Sequence, residues 1–452
     1  MTVAKGFVIA APSSGSGKTT ITLALLRALR NSGLRIASGK SGPDYIDPAF
    51  HSAASGHPCL NYDAWAMSLT QLSLNATEQE KHTDVVIIEG AMGLFDGAAD
   101  GSGSVAELAV HLGLPVILVV DCKSQAQSVA ALVHGFLTFH PHCHITGVIL
   151  NRVGSARHER ILRLALEPLG VIVLGAFYRS KQLELPERHL GLVQASERAD
   201  LEEFLNAAGD VARDSVDIPA LMRLAKVLAI PARENKELTG VAHLPPLGQH
   251  IAIAKDIAFA FCYEHLLSDW RRQGVTLSFF SPLGDETPSP EADAIFLSGG
   301  YPELHAGQLS QADTFKRGIR EAAGAGKLIY GECGGYMMLG DGLTDKGGQS
   351  HEMLGLLPIE TSFAKRKLKL GYRKLKATED AKQSGFPWLN PLGAHEFHYS
   401  TLTVKSEASS LFEAQDAEHH KLDPLGHING RVMGSFAHVV AERSEEWWSA
   451  SS

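Results

Sequence analysis

No apolar run in this chain approaches the ~18 residues that a membrane-crossing helix needs, so no membrane partner is expected. Cysteine is scarce. Five are scattered over 452 residues, at Cys59, Cys122, Cys143, Cys262 and Cys333, odd in number and without a C-x-x-C pair. That excludes an obvious zinc site or disulfide framework and suits a reducing compartment. Positive charge is not in excess either. A net charge of -9 argues against a nucleic-acid partner, although a local basic patch stays compatible with it. There is no internal repeat, no low-complexity tract and no cleavable signal pattern before the first strand-like run at 7–11. The expectation is a cytoplasmic enzyme.

At 452 residues the chain exceeds what one core usually supports, and 44% hydrophobic with 20% charged residues is ordinary globular composition. Short apolar runs at 7–11, 35–38, 85–88, 116–120, 147–150 and 171–174 alternate with amphipathic stretches. Leu23, Leu26 and Leu29 mark one face of a helix that ends at Gly33. Continuous apolar strands separated by helices predict a parallel sheet covered on both faces. A segment around 230–249 has little periodicity and reads as a linker. The strand–helix rhythm then restarts at 251–254, 294–297, 327–330 and 432–436. The fold class is therefore α/β in two domains, each a mostly parallel sheet flanked by helices, over 1–235 and 248–452.

Ser14-Gly15-Ser16-Gly17-Lys18-Thr19-Thr20 lies between the first strand and the first helix, the context of a phosphate-binding loop. Gly15 and Gly17 let backbone N–H groups approach phosphate oxygens, Lys18 pairs with the β/γ-phosphates, and Thr19 holds magnesium, with Thr20 beside it. Pro12 replaces the usual first glycine, and Ser13 stands where a deviant loop carries an early lysine. ATP is the expected nucleotide. Acidic motifs follow two further strands: Lys40-Ser41-Gly42-Pro43-Asp44-Tyr45-Ile46-Asp47-Pro48 and Glu89-Gly90-Ala91-Met92-Gly93-Leu94-Phe95-Asp96-Gly97. Carboxylates at the carboxyl ends of parallel strands converge on the ligand crevice, so Asp44, Asp47 and Glu89 are magnesium candidates. Asn151-Arg152, after the fifth of these runs, is positioned to meet the base.

In the second half, an apolar strand runs into Tyr330-Gly331-Glu332-Cys333-Gly334-Gly335-Tyr336. Small residues around a single cysteine at a strand-to-helix junction describe a nucleophile elbow. The following helix N-terminus favours a thiolate and offers N–H groups to an oxyanion. Gly299 and Gly300, of Ser298-Gly299-Gly300-Tyr301-Pro302-Glu303, join Gly334 as candidate oxyanion-hole donors. The candidate base is His438, at the end of the last apolar strand. Gly393-Ala394-His395-Glu396-Phe397-His398-Tyr399 reads equally as a channel-lining lid or a structural hairpin.

A phosphate-binding loop domain followed by a cysteine amidotransferase domain resembles the cobyrinic acid a,c-diamide synthase and cobyric acid synthase group, over essentially the whole chain. The second half is similar to class I glutamine amidotransferases with flavodoxin-like sheets. The first is similar to the dethiobiotin synthetase-like branch of P-loop proteins. Ser41-Gly42-Pro43-Asp44-Tyr45-Ile46-Asp47-Pro48-Ala49-Phe50-His51, the Glu89 motif and Arg188-His189-Leu190-Gly191-Leu192 favour the a,c-diamide enzyme over cobyric acid synthase. The resemblance implies a carbon–nitrogen ligase that uses ATP, Mg2+ and glutamine on a corrinoid polycarboxylate. Hydrogenobyrinic acid is favoured over cobyrinic acid by the style of the N-terminal motif, and a homodimer is the expected assembly. It implies Cys333 and His438 as the glutaminase pair, Asp47 and Asp96 as catalytic residues, and Asp44, Tyr45, Ile46 and Asp47 as substrate contacts. Lys40, Arg188 and His189 are candidate bases for the corrinoid carboxylates. The glutamate that wider amidotransferases carry two residues after the histidine is here Val440, which leaves His438 to be oriented by backbone alone. A non-catalytic P-loop switch is the rival of a different class, disfavoured by Ser13 and by the elbow cysteine.

Overall fold

Strand β1 (Lys5–Ala10) is apolar on both faces and runs straight into the glycine-rich turn, from which helix α1 (Lys18–Asn31) departs. Gly17 stands at the helix entry with φ 88°, a left-handed conformation that glycine adopts without a Cβ penalty. Ile21, Leu25, Leu26 and Leu29 then bury one side of α1 against the sheet. The computed structural model describes residues 4–183, 187–188, 191–192, 194–229, 243–404 and 408–450. It divides into two units. The first comprises Met1–Trp65, Leu69–Gly97 and Gly101–Val241; the second comprises Ala66–Ser68, Ala98–Asp100 and Ala242–Ser452. Most of the expected linker at 230–249 lies outside the described residues.

In the first unit, β2 (Ile36–Ser41), β3 (Leu60–Tyr62), β4 (Val85–Glu89), β5 (Val116–Asp121), β6 (Ile145–Val153) and β7 (Ile172–Tyr178) join β1 in the order β3-β2-β4-β1-β5-β6-β7. Every pair along that path is parallel. The strands read as continuous apolar runs because both faces are covered. Their carboxyl ends carry the phosphate-binding loop after β1, helix α2 (Asp47–Ser55) after β2, and Glu89 at the end of β4. Lys40 on β2 and Glu89 on β4 are register partners, which puts a cation and an anion side by side at the crevice. Of the motif at 188–192, the backbone of Glu187–Arg188 pairs with Gly191–Leu192, and His189 and Leu190 lie outside the described residues.

The second unit holds a larger sheet. Thr276–Phe280, His250–Ala254, Ala294–Leu297, Leu328–Glu332 and Val432–Ser435 form its parallel part. It continues antiparallel through Leu425–Asn429, Ser409–Gln415, Lys369–Ala377, Leu392–His398 and Ala437–Glu442. The core behind the parallel part contains Phe259, Phe280, Phe315, Leu297 and Ile329, all buried. The last apolar run differs from the single strand expected at 432–436. It breaks at Phe436, and the chain resumes as Ala437–Glu442 against a different neighbour, so His438 is the second residue of a new strand. The sheet curls enough for this edge strand to return to Leu328–Glu332: the Val439 N–H donates to Glu332 Oε1 at 3.1 Å.

Candidate functional site

The carboxyl ends of β1, β2 and β4 border a cavity of about 1010 Å3 lined by Gly15, Gly17, Lys18, Thr19, Thr20, Asp44, Asp47, Glu89 and Asn151, among others. Lys18 Nζ donates to the Met92 carbonyl and, at 3.4 Å, to that of Ser13. A cation held by backbone carbonyls can exchange them for phosphate oxygens at little cost in geometry. Burial pulls its pKa down to about 8. Asn151 Nδ2 donates to the Ser16 carbonyl at 2.8 Å, so its amide braces the loop from β6 while the residue lines the cavity. A Cβ on Gly17 would lie 2.2 Å from that Nδ2, a second reason for glycine there.

Oxygen donors gather beside the loop. Thr19 Oγ1 donates to Glu89 Oε1 at 2.7 Å and to Asp47 Oδ2 at 3.3 Å. Lys40 Nζ donates to the same two oxygens, at 2.7 and 2.6 Å. Hydroxyl and carboxylate oxygens are the donors a hard divalent cation takes, so Thr19, Asp47 and Glu89 fit magnesium. Asp44 adds a third carboxylate at Lys40, with Oδ2 3.9 Å from Nζ, while its Oδ1 accepts the Ile46 and Asp47 N–H groups at 2.8 and 3.1 Å just before α2. Burial and the charge of Asp47 raise its pKa to about 6. Behind Glu89, His51 Nε2 is 2.7 Å from Oε2, and Cys59 Sγ is 3.6 Å from His51 Nδ1. Burial opposes charge on Glu89, yet Lys40 and His51 hold its carboxyl well below the usual range.

Three expectations shift here. Lys40 lines the cavity but is only 3% exposed, and its charge is already shared by Asp47, Glu89 and Asp44. Asp96 is exposed, and its Oδ2 accepts the Gly93 N–H at 2.8 Å, closing the loop after β4; it does not line the cavity. Ile46 is buried, whereas its neighbour Tyr45 is partly open. The missed members are His51 and the structural duty of Lys40. The register of Lys40 opposite Glu89 becomes visible only once β2 and β4 are known to be neighbours.

In the second unit Cys333 sits between Leu328–Glu332 and the short helix Gly334–Leu339 with φ 46° and ψ −103°. For a non-glycine residue that conformation is strained, the hallmark of an elbow. Its N–H donates to the Ser435 carbonyl at 2.8 Å, pinning the turn to the next strand. The glycines are sterically required. A Cβ on Gly299 would lie 2.3 Å from His438 Cε1, and one on Gly334 would lie 3.0 Å from the Gly300 nitrogen. Gly299, Gly300, Gly334, Cys333 and His438 are thereby gathered at one place.

This place is dry. Cys333 and His438 are 3% and 1% exposed. Burial raises the Cys333 pKa far above the ordinary thiol value, and Glu303, Glu332 and Glu396 push the same way. The Gly334 N–H, at the start of the short helix, pulls the other way. Burial, with His395 and His398, lowers His438 to about 3. His438 is not oriented by backbone alone: Glu332 Oε2 lies 3.7 Å from its Nδ1. The segment at 393–399 is neither lid nor isolated hairpin. It is a strand paired on both sides, with His395 opposite His438, Arg373 ion-paired to Glu396 at 2.8 Å, and His398 Nε2 2.9 Å from Glu396 Oε1. Glu332 was legible in the Gly331-Glu332-Cys333 motif; Glu303 carried no signal beyond its motif.

Residues 7–193 match the CobQ/CobB/MinD/ParA nucleotide binding domain, and residues 250–446 match the CobB/CobQ-like glutamine amidotransferase domain. Curated relatives named hydrogenobyrinate a,c-diamide synthase match nearly the whole chain. That of Brucella anthropi is 56% identical over 437 residues, covering 96% of this chain and 98% of the relative. That of Rhizobium meliloti is 53% identical over 435 residues, covering 96% and 99%. That of Mesorhizobium japonicum is 47% identical over 451 residues, covering 98% and 99%. With a phosphate-binding crevice and a cysteine elbow on one chain, and relatives this similar along its whole length, the protein belongs to the hydrogenobyrinate a,c-diamide synthase family.

Proposed function

We propose that this protein converts the a and c acetate side chains of hydrogenobyrinic acid to carboxamides, using ATP and glutamine. The observation that carries the reading is the pairing of an oxygen-lined P-loop crevice with a cysteine elbow, in a chain 56% identical to a relative of that name. In the second unit His438 takes the thiol proton as Cys333 attacks the glutamine amide. Gly299, Gly300 and Gly334 N–H groups receive the oxyanion. His438 then protonates the departing ammonia, leaving a thioester that water opens to glutamate. In the first unit a corrinoid carboxylate oxygen attacks the γ-phosphorus of ATP, and the bond to ADP breaks to give an acyl phosphate. Ammonia adds to the acyl carbon and phosphate leaves.

Lys18 neutralises charge on the transferring phosphoryl group. Thr19, Asp47 and Glu89 would hold Mg2+, which supplies further charge neutralisation when bound. Asp44 and Asp47 line the substrate side, with Tyr45 partly open beside them and Ile46 buried, and Asp96 shapes the loop that presents the Met92 carbonyl to Lys18. A homodimer in the cytoplasm, without nucleic acid or membrane, completes the reading; light scattering tests the assembly.

Hydrogenobyrinic and cobyrinic acids, each incubated with protein, ATP, magnesium and glutamine, are to be compared by mass spectrometry. Two new amides on the cobalt-free acid are expected. Consumption of the a,c-diamide instead would move the protein to cobyric acid synthase chemistry.

A further inference from the structure

Val440 occupies the position two residues after His438 and offers no carboxylate to the imidazole. A histidine that must accept a proton at Nε2 and return it needs its Nδ1 proton fixed by an acceptor. One acid is in place to do so from another strand. Glu332 is the last residue of Leu328–Glu332, directly before Cys333, and is itself buried. Its two oxygens are differently placed. Oε1 is anchored by the Val439 N–H at 3.1 Å and the Tyr330 hydroxyl at 3.2 Å, while Oε2 lies 3.7 Å from His438 Nδ1. Because the Val439 N–H adjoins His438 in the chain, one carboxyl group fixes both the backbone and the ring of the base. Gly299 packs against the same ring, so close that a Cβ there would strike Cε1.

We propose that Glu332 is the positioning residue for His438, supplying from the residue before the nucleophile the carboxylate that the chain lacks at position 440. The inference rests on the assignment of Cys333 and His438 as the glutaminase pair. The carboxyl moves from 3.7 Å into hydrogen-bond range of Nδ1 when glutamine fills the site, as catalytic hydrogen bonds commonly tighten on binding. Burial raises Glu332 to about 8, with the Val439 N–H and the Tyr330 hydroxyl pulling the other way. Ionisation of Glu332 therefore strengthens the base as pH rises toward that value. The other groups facing the pair are Tyr330 on its own strand, Cys333 and Glu303 at the elbow, Cys262, and His395, Glu396 and His398 on Leu392–His398.

The test compares glutamine-dependent with ammonia-dependent amidation in the full-length enzyme for wild type, Glu332→Gln, Glu332→Asp and Cys333→Ala. Glu332→Gln keeps the shape and the donors' acceptor but loses the charge. Its glutamine-dependent kcat is expected to fall about 10²-fold, the scale of acid–base catalysis, with the glutamine KM within about twofold. Ammonia-dependent turnover stays at the wild-type level, Glu332→Asp recovers part of the loss, and the rise of glutamine-dependent kcat toward pH 8 flattens. A Glu332→Gln enzyme within twofold of wild type on glutamine overturns the proposal. Equal loss on glutamine and ammonia marks a purely structural role and overturns it too. Glutamine-dependent turnover surviving in Cys333→Ala would instead remove the glutaminase assignment itself, and this inference with it.

Discussion

Lys40 and Glu89 face each other across neighbouring parallel strands, with Nζ 2.7 Å from Oε1 and both side chains almost fully buried. The same ammonium holds Asp47 at 2.6 Å, so one cation keeps two carboxylates together beside Thr19. Charges out of water are tolerated only when paired, and removing one partner strands the others. Lys40→Met should therefore cost the first unit about 3–5 kcal/mol, read as a lowered denaturation midpoint in urea. An unchanged midpoint would mean that water already reaches Asp47 and Glu89.

Gly299 touches the base from behind. Adding one methyl there places carbon 2.3 Å from His438 Cε1, a distance no packed side chain tolerates, so the ring must move. Misplacement of about 1 Å costs on the order of 10²-fold in rate. Gly299→Ala is expected to lose glutamine-dependent amidation on that scale and to keep amidation from added ammonium chloride. If the two activities fell together, the substitution would have damaged the fold rather than the base.

Lys18 gives the ATP site a pH dependence of definite sign. Burial depresses its pKa from 10.5 to about 8 in the unliganded crevice, so the phosphate-pairing cation becomes neutral as pH rises through 8. Polyphosphate favours the protonated form and raises the pKa again. ATP binding between pH 8 and 9 should take up a proton, and the ATP KM should rise over the same interval. Calorimetry in two buffers of different ionisation enthalpy measures the uptake directly; no buffer dependence would show that Lys18 is already charged.

The chain announced its architecture through period and punctuation. Apolar runs at 7–11, 85–88 and 116–120 fall on strands of a parallel sheet, the first overshooting its strand by one residue, because strands covered on both faces must be apolar throughout. The loop at Gly15–Thr19 and the elbow at Cys333 were legible for the same reason: each is a local motif between one strand and one helix. Long-range pairings were not. That Lys40 is consumed by Glu89 depends on strand order, and that Glu332 reaches His438 depends on a sheet that curls back across about a hundred residues of sequence. The break at Phe436 follows Gly434 and Ser435, but the change of neighbour beyond it leaves no trace in composition.

Burial opposes charge on both groups of the elbow, and this sets the last expectation. Burial raises the Cys333 thiol well above its ordinary range, three acidic side chains add to the shift, and His438 is held down to about 3. Both groups therefore stay uncharged across pH 5–9, unlike a preformed thiolate–imidazolium pair, which would keep the nucleophile ionised at neutral pH. Since only the thiolate is alkylated, the rate of Cys333 modification by iodoacetamide should climb about tenfold per pH unit up to pH 9 without a plateau. Peptide mass spectrometry separates this signal from the other four cysteines. A plateau between pH 6 and 7 would instead reveal a charged pair in the free enzyme. Adding ATP and the corrinoid acceptor should accelerate the reaction at fixed pH if acceptor binding is what admits charge to the elbow; an unchanged rate would place that control in glutamine binding itself.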